Sequence, residues 1–394
     1  MPFYFSIRRM AQDERLRTVE GLIRLRAQLD DEMPPKTRND TIVLGTWNIR
    51  NFDDNRFANG PRSKEDYFYI AEILSRFDVI AVQEICEDLG PLEDIMYILG
   101  REYDYILTDV TEGVSGNSER LGFIFDTAKV RFKGVAGELV LPDSLLIVDD
   151  ERKLQFSRTP FMCLFQSGWF KFAFSTVHIY FGSDTGKKFA RRVDEIEAVA
   201  GFLAKRAKND PMNHILVGDF NIPKIGDKAF NALADRGFTV FQNHKGSNKD
   251  QTKFYDQISF MSQRMEVNKS DGDKAAGVLQ FFDSIFREED FPAYRTRLIE
   301  AQRDKIASYT EQIAEREAKI LRARTESSKE RHRDKIESLR EAILQAQDVI
   351  GDDAKLKNYY LQEWRTFHGS DHLPLWVELK IDFSGDYLGR LQAS

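Results

Sequence analysis

Cysteine is almost missing from this chain, with only Cys86 and Cys163 among 394 residues. That scarcity excludes a disulfide framework of the small secreted type, and two thiols so far apart do not make a thiolate metal site. Long apolar runs are missing too. The start, MPFYFSIRRM, puts a short apolar stretch before its basic pair, and no long apolar core follows it. It reads as neither a signal peptide nor a membrane span, so a cytoplasmic protein is expected. There is no G-x-x-x-x-G-K-S/T phosphate loop, no G-x-S-x-G elbow and no internal repeat. An excess of positive charge is also lacking, since the chain carries −7.

What the chain does have is a set of short apolar runs, each ending in polar residues. VIAVQEI (Val79 to Ile85) and HILVGDFN (His214 to Asn221) have the pattern of buried strands that deliver side chains to a sheet edge. TWNIRNF (Thr46 to Phe52), TVHIY (Thr176 to Tyr180) and GSDHLP (Gly369 to Pro374) complete the set. Phosphate ester cleavage calls for a hard cation to neutralise charge developing on phosphorus, and Mg²⁺ takes carboxylates, amides and water. Glu84 and Asp219 supply carboxylates, while Asn48 and Asn221 can orient a phosphate oxygen or a water without adding charge. An imidazole with a pKa near working pH can take the water's proton, and His178 and His372 are the two candidates. Any one of these fragments alone would be an ordinary turn or core segment, because Asp and Asn start turns readily. Their joint occurrence carries the argument.

In identity and order the five fragments resemble the endonuclease/exonuclease/phosphatase superfamily of metal-dependent phosphoesterases, over roughly residues 41 to 380. The resemblance implies a four-layer α/β/β/α sandwich of two mixed sheets with helices outside. Three further strings favour the deoxyribonuclease I-like branch. SERLGFIFD (Ser118 to Asp126) places Glu119 where that branch pairs a Glu with the first catalytic His, here His178. FSRTPF (Phe156 to Phe161) places Arg158 at a DNA phosphate contact. FYDQISF (Phe254 to Phe260) supplies Asp256 to orient the second His, here His372.

The implied roles are then Glu84 as principal metal ligand, with Asn48, Asp219 and Asp371 helping to hold Mg²⁺ or Mn²⁺. Asn48, Asn221 and Arg158 would contact substrate. His372 with Asp256 would act as general base, and His178 with Glu119 would stabilise the transition-state charge or protonate the leaving oxygen. The implied activity is DNA endonuclease. The alternative is a phosphatase or phosphodiesterase on lipid or inositol phosphates, which would use the same metal and His residues. A fold kept only for binding would not need the intact set. Deoxyribonuclease I is secreted, so its calcium sites and disulfides are not carried over.

Two regions lie outside this core. In residues 1–40, Leu16, Val19, Leu22, Ile23 and Leu29 have helical spacing and Met33, Pro34 and Pro35 end the element, which predicts a helix packed on the body. In residues 294–350, Ile306, Tyr309, Ile313 and Ile320 follow one heptad-like spacing and Ile336, Leu339, Ile343 and Ile350 another. The break at Thr325 to Ser328 predicts an antiparallel coiled-coil hairpin, inserted between catalytic segments 41–293 and 351–384. From Arg295 to Arg340 there are 13 Lys and Arg against 9 Asp and Glu, a balance of +4, and Met1 to Asp40 carries 8 against 7, or +1. The remainder is then at −12, which suits a cation-holding pocket and requires that any DNA-binding cations be placed locally. Candidates are Arg158, the run Lys187, Lys188, Arg191 and Arg192, and the hairpin tip. The rival expectation for the hairpin is a protein partner or self-association through Ile313, Ile320, Ile336 and Ile343.

Overall fold

Apolar runs that end in polar residues become the central strands of two sheets. The computed structural model describes residues 2–111, 118–149, 152–210, 212–241, 243–262 and 267–393. In chain order the strands begin β1 (Thr41–Phe52), β2 (Val79–Ile85), β3 (Tyr103–Leu107), β4 (Arg120–Asp126), β5 (Arg131–Glu138), β6 (Ile147–Asp149) and β7 (Arg152–Leu154). They continue with β8 (Phe161–Ser167), β9 (Phe170–His178), β10 (Asn213–Asp219), β11 (Thr239–Val240), β12 (Asp256–Met261), β13 (Ala276–Val278) and β14 (Leu375–Lys380). One six-stranded sheet has the order β13-β14-β1-β2-β4-β3, the other β11-β12-β10-β9-β8-β5, and β6 with β7 forms a small hairpin. Within each large sheet one central pair is parallel, β1 with β2 and β9 with β10.

The sheets pack face to face through aromatic side chains. Phe123 of β4 lies 5.6 Å from Phe161, 5.8 Å from Phe165 and 5.1 Å from Phe174, all on the opposite sheet. Helices α1 (Gln12–Glu32), α2 (Lys64–Leu74) and α3 (Gly90–Leu99) cover the outside of the first sheet. Helices α4 (Gly186–Ala207) and α5 (Lys228–Ala234) cover the second. The result is a four-layer α/β/β/α sandwich. Strand β10 is buried along its whole length, as expected where both faces of a strand are covered. Among the described residues no helix is long and apolar enough to cross a membrane.

The N-terminal helix α1 packs by only part of the face its spacing suggests, through Leu22 and Leu29. Leu22, Leu25 and Leu29 are buried with Thr18 and Gly21, while Leu16, Val19 and Ile23 are exposed. Gly21 decides this, because a Cβ there would collide with the Tyr69 hydroxyl oxygen, so the helix crosses α2 at its glycine.

The helical insertion is longer than the hairpin. It comprises α6 (Phe291–Arg322), α7 (Glu326–Gly351), α8 (Asp353–Tyr359), a π-helical turn (Tyr360–Trp364) and α9 (Arg365–His368), which runs straight into the Ser370-Asp371-His372 loop. A C-terminal α10 (Ser384–Ala393) follows β14. Thr325 caps α7 by accepting from Ser328 N. Ile336, Leu339 and Ala346 are buried, and Ile313, Ile320 and Ile343 are half-buried, along the helix pair.

Two buried acids at the start of α2 tie this insertion to the body. Glu65 accepts from Arg17, Tyr69, Tyr294 and Arg297, which joins α1, α2 and α6. Asp66 Oδ2 lies 2.6 Å from His368 Nδ1, and its carboxyl is held below its ordinary range: burial alone would raise it, and the His368 imidazole outweighs the burial.

Breaking a buried pair of this kind costs about 3 kcal/mol. Asp66→Asn is therefore expected to lower the thermal midpoint, measured by circular dichroism at pH 7. A carboxyl held below its unfolded value contributes stability in full above about pH 4, and that stability is lost as pH falls through the folded pKa. Wild type should thus lose more stability than the variant on acidification below about pH 4. Equal midpoints at pH 7 would show that the pair does not anchor the insertion.

Candidate functional site

The register of the second sheet sets the site. Asp219, the last residue of β10, pairs with His178 across β9 and with Asp256 across β12, so three functional side chains stand abreast. Gly218 makes this packing possible: its φ is +129°, and a Cβ there would collide with the Val177 carbonyl oxygen. Past the strand, Asn221 is left-handed with φ 54°. Its backbone N–H donates to Asp219 Oδ1 at 2.8 Å, and its Nδ2 donates to the Ile179 carbonyl at 2.9 Å.

The first sheet supplies Asn48 and Glu84. The ladder of β2 is irregular between Val82 and Ile85, and Glu84 sits there with φ 62°. A bulge re-aims side chains. Gln83 turns inward to donate to Thr46 and Thr176, at 3.1 and 2.8 Å, while Glu84 reaches the site mouth. Left-handed backbone at a non-glycine residue costs about 1 kcal/mol or more, and Glu84, Asn221, Arg50 and Asn51 all adopt it here. Strain is therefore concentrated at the polar ends of these strands.

Asn48 joins the sheets. Its Nδ2 donates to Glu84 Oε1 at 2.9 Å and to Asp219 Oδ2 at 3.2 Å, and its Oδ1 accepts from Arg50 N. The other Glu84 oxygen accepts from Asn51 N at 2.7 Å. Ser370 Oγ donates to the Asn48 carbonyl and accepts from His372 N, and Trp47 Nε1 donates to the His372 carbonyl. These bonds fix the loop that carries His372 against β1.

Both imidazoles have a carboxylate partner. His372 Nδ1 and Asp256 Oδ2 are 2.8 Å apart, and His178 Nδ1 and Glu119 Oε1 are 2.6 Å apart. The two Nε2 atoms converge on Asp219 Oδ2, at 3.7 Å from His372 and 3.5 Å from His178. Arg158, nearly buried, ion-pairs with Glu119 on the far side of His178. The imidazoles are driven apart electrostatically. Burial and the nearby Arg158 guanidinium push His178 down to about 4. Burial alone would lower His372 as well, but attraction to Asp256 and Asp219 outweighs it and holds that imidazole well above its ordinary value. Burial raises Glu119 to about 7 even beside Arg158.

The donor set fits a hard divalent cation. Two clusters bring ligand atoms within 4.8 Å of one another, Glu84 with Glu119 and His178, and Asp219 with Asp256 and His372. Each oxygen of Glu84 and Asp219 accepts from the Asn48 amide or a backbone N–H and keeps a second lone pair for a cation, and oxygen donors suit Mg²⁺ or Mn²⁺. Asn48 offers these carboxylates its N–H group. Asp371 stands outside both clusters, with its carboxylate 3.5 Å from Arg50.

Other residues at the site gave little signal in the sequence. Arg62, buried, donates to the carbonyls of Ile49, Arg50, Asn51, His368 and Gly369, bracing the β1 loop against the His372 loop. Arg192 is also buried, donating to the carbonyls of Tyr180, Ser183 and Asn221, so it is not a surface cation for DNA as the run Lys187 to Arg192 suggested. Glu195 accepts from Ser157 N at 2.6 Å and Tyr180 N at 2.7 Å, which fixes the segments next to Arg158 and His178. The available signal was a pair of charges three residues apart on the otherwise apolar face of α4. Arg50 stacks on Phe367 at 3.8 Å and bonds Thr366 of α9.

Glu84→Gln keeps the side-chain shape and removes one charge. It is expected to weaken Mn²⁺ binding about tenfold or more in titration calorimetry, a loss of about 1.4 kcal/mol, with the thermal midpoint nearly unchanged. Unaltered affinity would move the ion to the cluster of Asp219, Asp256 and His372.

No family model and no curated protein matches the chain. Solved structures do. A mannosyl-6-phosphatase of Bacteroides thetaiotaomicron is 21% identical over 61% of this chain and 90% of its own, with a TM-score of 0.45. An endonuclease/exonuclease/phosphatase family protein of Leptotrichia buccalis is 16% identical over 62% and 93%, with a TM-score of 0.42. The human Nocturnin catalytic domain is 13% identical over 58% and 85%, with a TM-score of 0.41. At these identities and scores the likenesses carry no argument about chemistry. Two six-stranded mixed sheets lie face to face between helices with the five sequence fragments gathered at one end, which is the four-layer architecture that the sequence resemblance implied.

Proposed function

We propose that the chain is a Mg²⁺- or Mn²⁺-dependent phosphodiesterase that cleaves the backbone of DNA as an endonuclease. The observation that carries this reading is the convergence of two carboxylate-held imidazoles on Asp219, each Nε2 within 4 Å of it. A cation held by Glu84 and Asp219 would neutralise charge on the phosphate oxygens. Asp256 fixes His372 so that its Nε2 faces the phosphate position. With the charge of Asp219 offset by a cation, this imidazole would lose the proton that Asp219 and Asp256 hold on it, and would then take the proton of the attacking water as the oxygen–phosphorus bond forms. The bond to the leaving oxygen breaks, and that oxygen takes the Nε2 proton of His178 as Nδ1 takes the proton of Glu119, whose carboxyl burial raises to about 7. His178 is held there by Glu119, and Arg158 adds positive charge behind that pair. Asn221, braced by Ile179 and Asp219, orients the phosphate or the water.

The preference for a diester in DNA over a small phosphomonoester rests on Arg158. Support for that reading is the sequence resemblance, in which the FSRTPF string places Arg158 at a DNA phosphate contact.

The test is nicking of supercoiled plasmid with Mg²⁺ or Mn²⁺ and with EDTA, run beside phosphate release from inositol phosphates. Cleavage should require metal, and His372→Ala and His178→Ala should each lower kcat by about 10²-fold or more while keeping a native circular dichroism spectrum. Phosphate release without nicking would transfer the site to phosphomonoesters. A near wild-type rate in either variant would remove that His from the mechanism.

A further inference from the structure

The α6–α7 pair does not lie along the body. Strands β1 and β2 run toward the site, and α2 starts at that same end. Helix α6 begins beside α1, where Arg24 meets Asp290 at 3.1 Å, and next passes the first turn of α2, where Tyr294 and Arg297 meet Glu65. One helical stretch later, Lys305 reaches Asn59 in the loop that follows β1. Eight residues of helix separate Arg297 from Lys305, about 12 Å of travel toward the catalytic end. Ser308 still lines a cleft of about 300 Å³ with Asn55, Ala58 and Asn59. Beyond Ser308 the helix continues for 14 more residues to Arg322, about 21 Å past the loop at the site's edge.

Charge is distributed unevenly along this arm. From Arg316 to Lys335 there are eight Lys and Arg against four Asp and Glu, a balance of +4 on a chain of −7. Several cations are committed to acids on the arm itself: Lys319 to Glu315, Arg333 and Lys329 to Glu326, and Arg340 to Glu317. Arg322, Arg324, Arg331 and Lys335 are exposed, with no carboxylate partner among the described residues. Cations held free at the end of an arm on an otherwise acidic protein are unusual, because a surface helix can satisfy them with i,i+4 acids, as Glu315 and Lys319 do here. The buried Ile336 and Leu339 and the half-buried Ile313, Ile320 and Ile343 are used within the helix pair, and Leu321 and Leu344 are the large apolar side chains it leaves exposed among the described residues.

We propose that this arm grips the phosphate backbone of a nucleic acid duplex about 20 Å past the loop at the site's edge, through Arg322, Arg324, Arg331 and Lys335. This deepens the nuclease reading and rests on it for the claim that the gripped duplex is substrate. The arm adds affinity for long polyanions and touches no reacting atom. Fixing the duplex at a distance lowers KM for duplex and leaves the rate on a small diester unchanged.

The test replaces Arg322, Arg324, Arg331 and Lys335 together with Gln in the full chain. Binding of a fluorescent 30-base-pair duplex is followed by anisotropy in EDTA from 50 to 200 mM salt, beside turnover of bis(p-nitrophenyl) phosphate with Mn²⁺. The expected result is affinity weakened about tenfold or more and a salt slope shallower by about 0.9 for each phosphate that the tip no longer engages, with small-diester turnover unchanged. An unchanged duplex affinity and slope would overturn the proposal even if both proteins hydrolyse the small diester. Tip-dependent duplex binding without hydrolysis would instead uphold the arm and sink the nuclease reading. Binding that depends on the tip for phosphatidylserine vesicles but not for duplex would overturn the choice of partner.

Discussion

Everything at this site depends on holding like charges close together between two sheets whose interface is otherwise apolar. Glu84 comes from one sheet and Asp219 from the other, and the Asn48 amide bonded to both spans the gap. Carboxylates brought together in a low-dielectric cleft repel each other, and the fold answers with one shared donor, backbone N–H groups from Asn51 and Asn221, and two imidazoles. These groups hold the acids in place while leaving lone pairs on their oxygens. An arrangement with unspent negative charge is one that a divalent cation completes.

A second layer of buried charge holds the loops that carry the site. Arg62 and Arg192 each bind several backbone carbonyls, and Glu195 binds two backbone N–H groups. A guanidinium is suited to this, since its five donors lie in a rigid fork and can satisfy carbonyls from several turns at once. Without them, the loops beyond β1, β9 and β10 would bury unpaired carbonyls, which the interior does not tolerate. The strained residues Glu84 and Asn221 sit within reach of these struts, so the surrounding bonds hold conformations that neither residue favours alone.

The helical insertion is part of the site's construction as well as an arm. It leaves the body after β13 and returns through a π-helical turn and α9 directly into the His372 loop. Thr366 and Phe367 of α9 hold Arg50, Gln362 of the π turn holds Lys249, and Lys249 N donates to the Asp371 carbonyl. The Glu65 and Asp66 contacts fix the base of the insertion against α2. The arm is therefore joined through packed side chains to residues next to the His372 loop.

Strand content and the residue types at the site were legible in the sequence because both follow from local pattern. VIAVQEI and HILVGDFN have strand length and end in donors, and both became buried central strands. The two imidazole and carboxylate pairs were legible only through resemblance, since Glu119 and His178 lie 59 positions apart and Asp256 and His372 116 apart. The struts were not legible: Arg192 read as a surface cation and Arg62 did not stand out at all, because their partners are backbone carbonyls, which sequence does not display. The buried face of α1 was misread in part for a related reason, as apolar spacing allowed two faces and only the approach of Tyr69 to Gly21 chose between them. By itself the sequence determined which residues are apolar strands, which are donors and where an inserted helical pair interrupts them. Tertiary structure alone decided which donors meet, because register across β9, β10 and β12 and the bridge through Asn48 depend on packing between segments far apart in the chain.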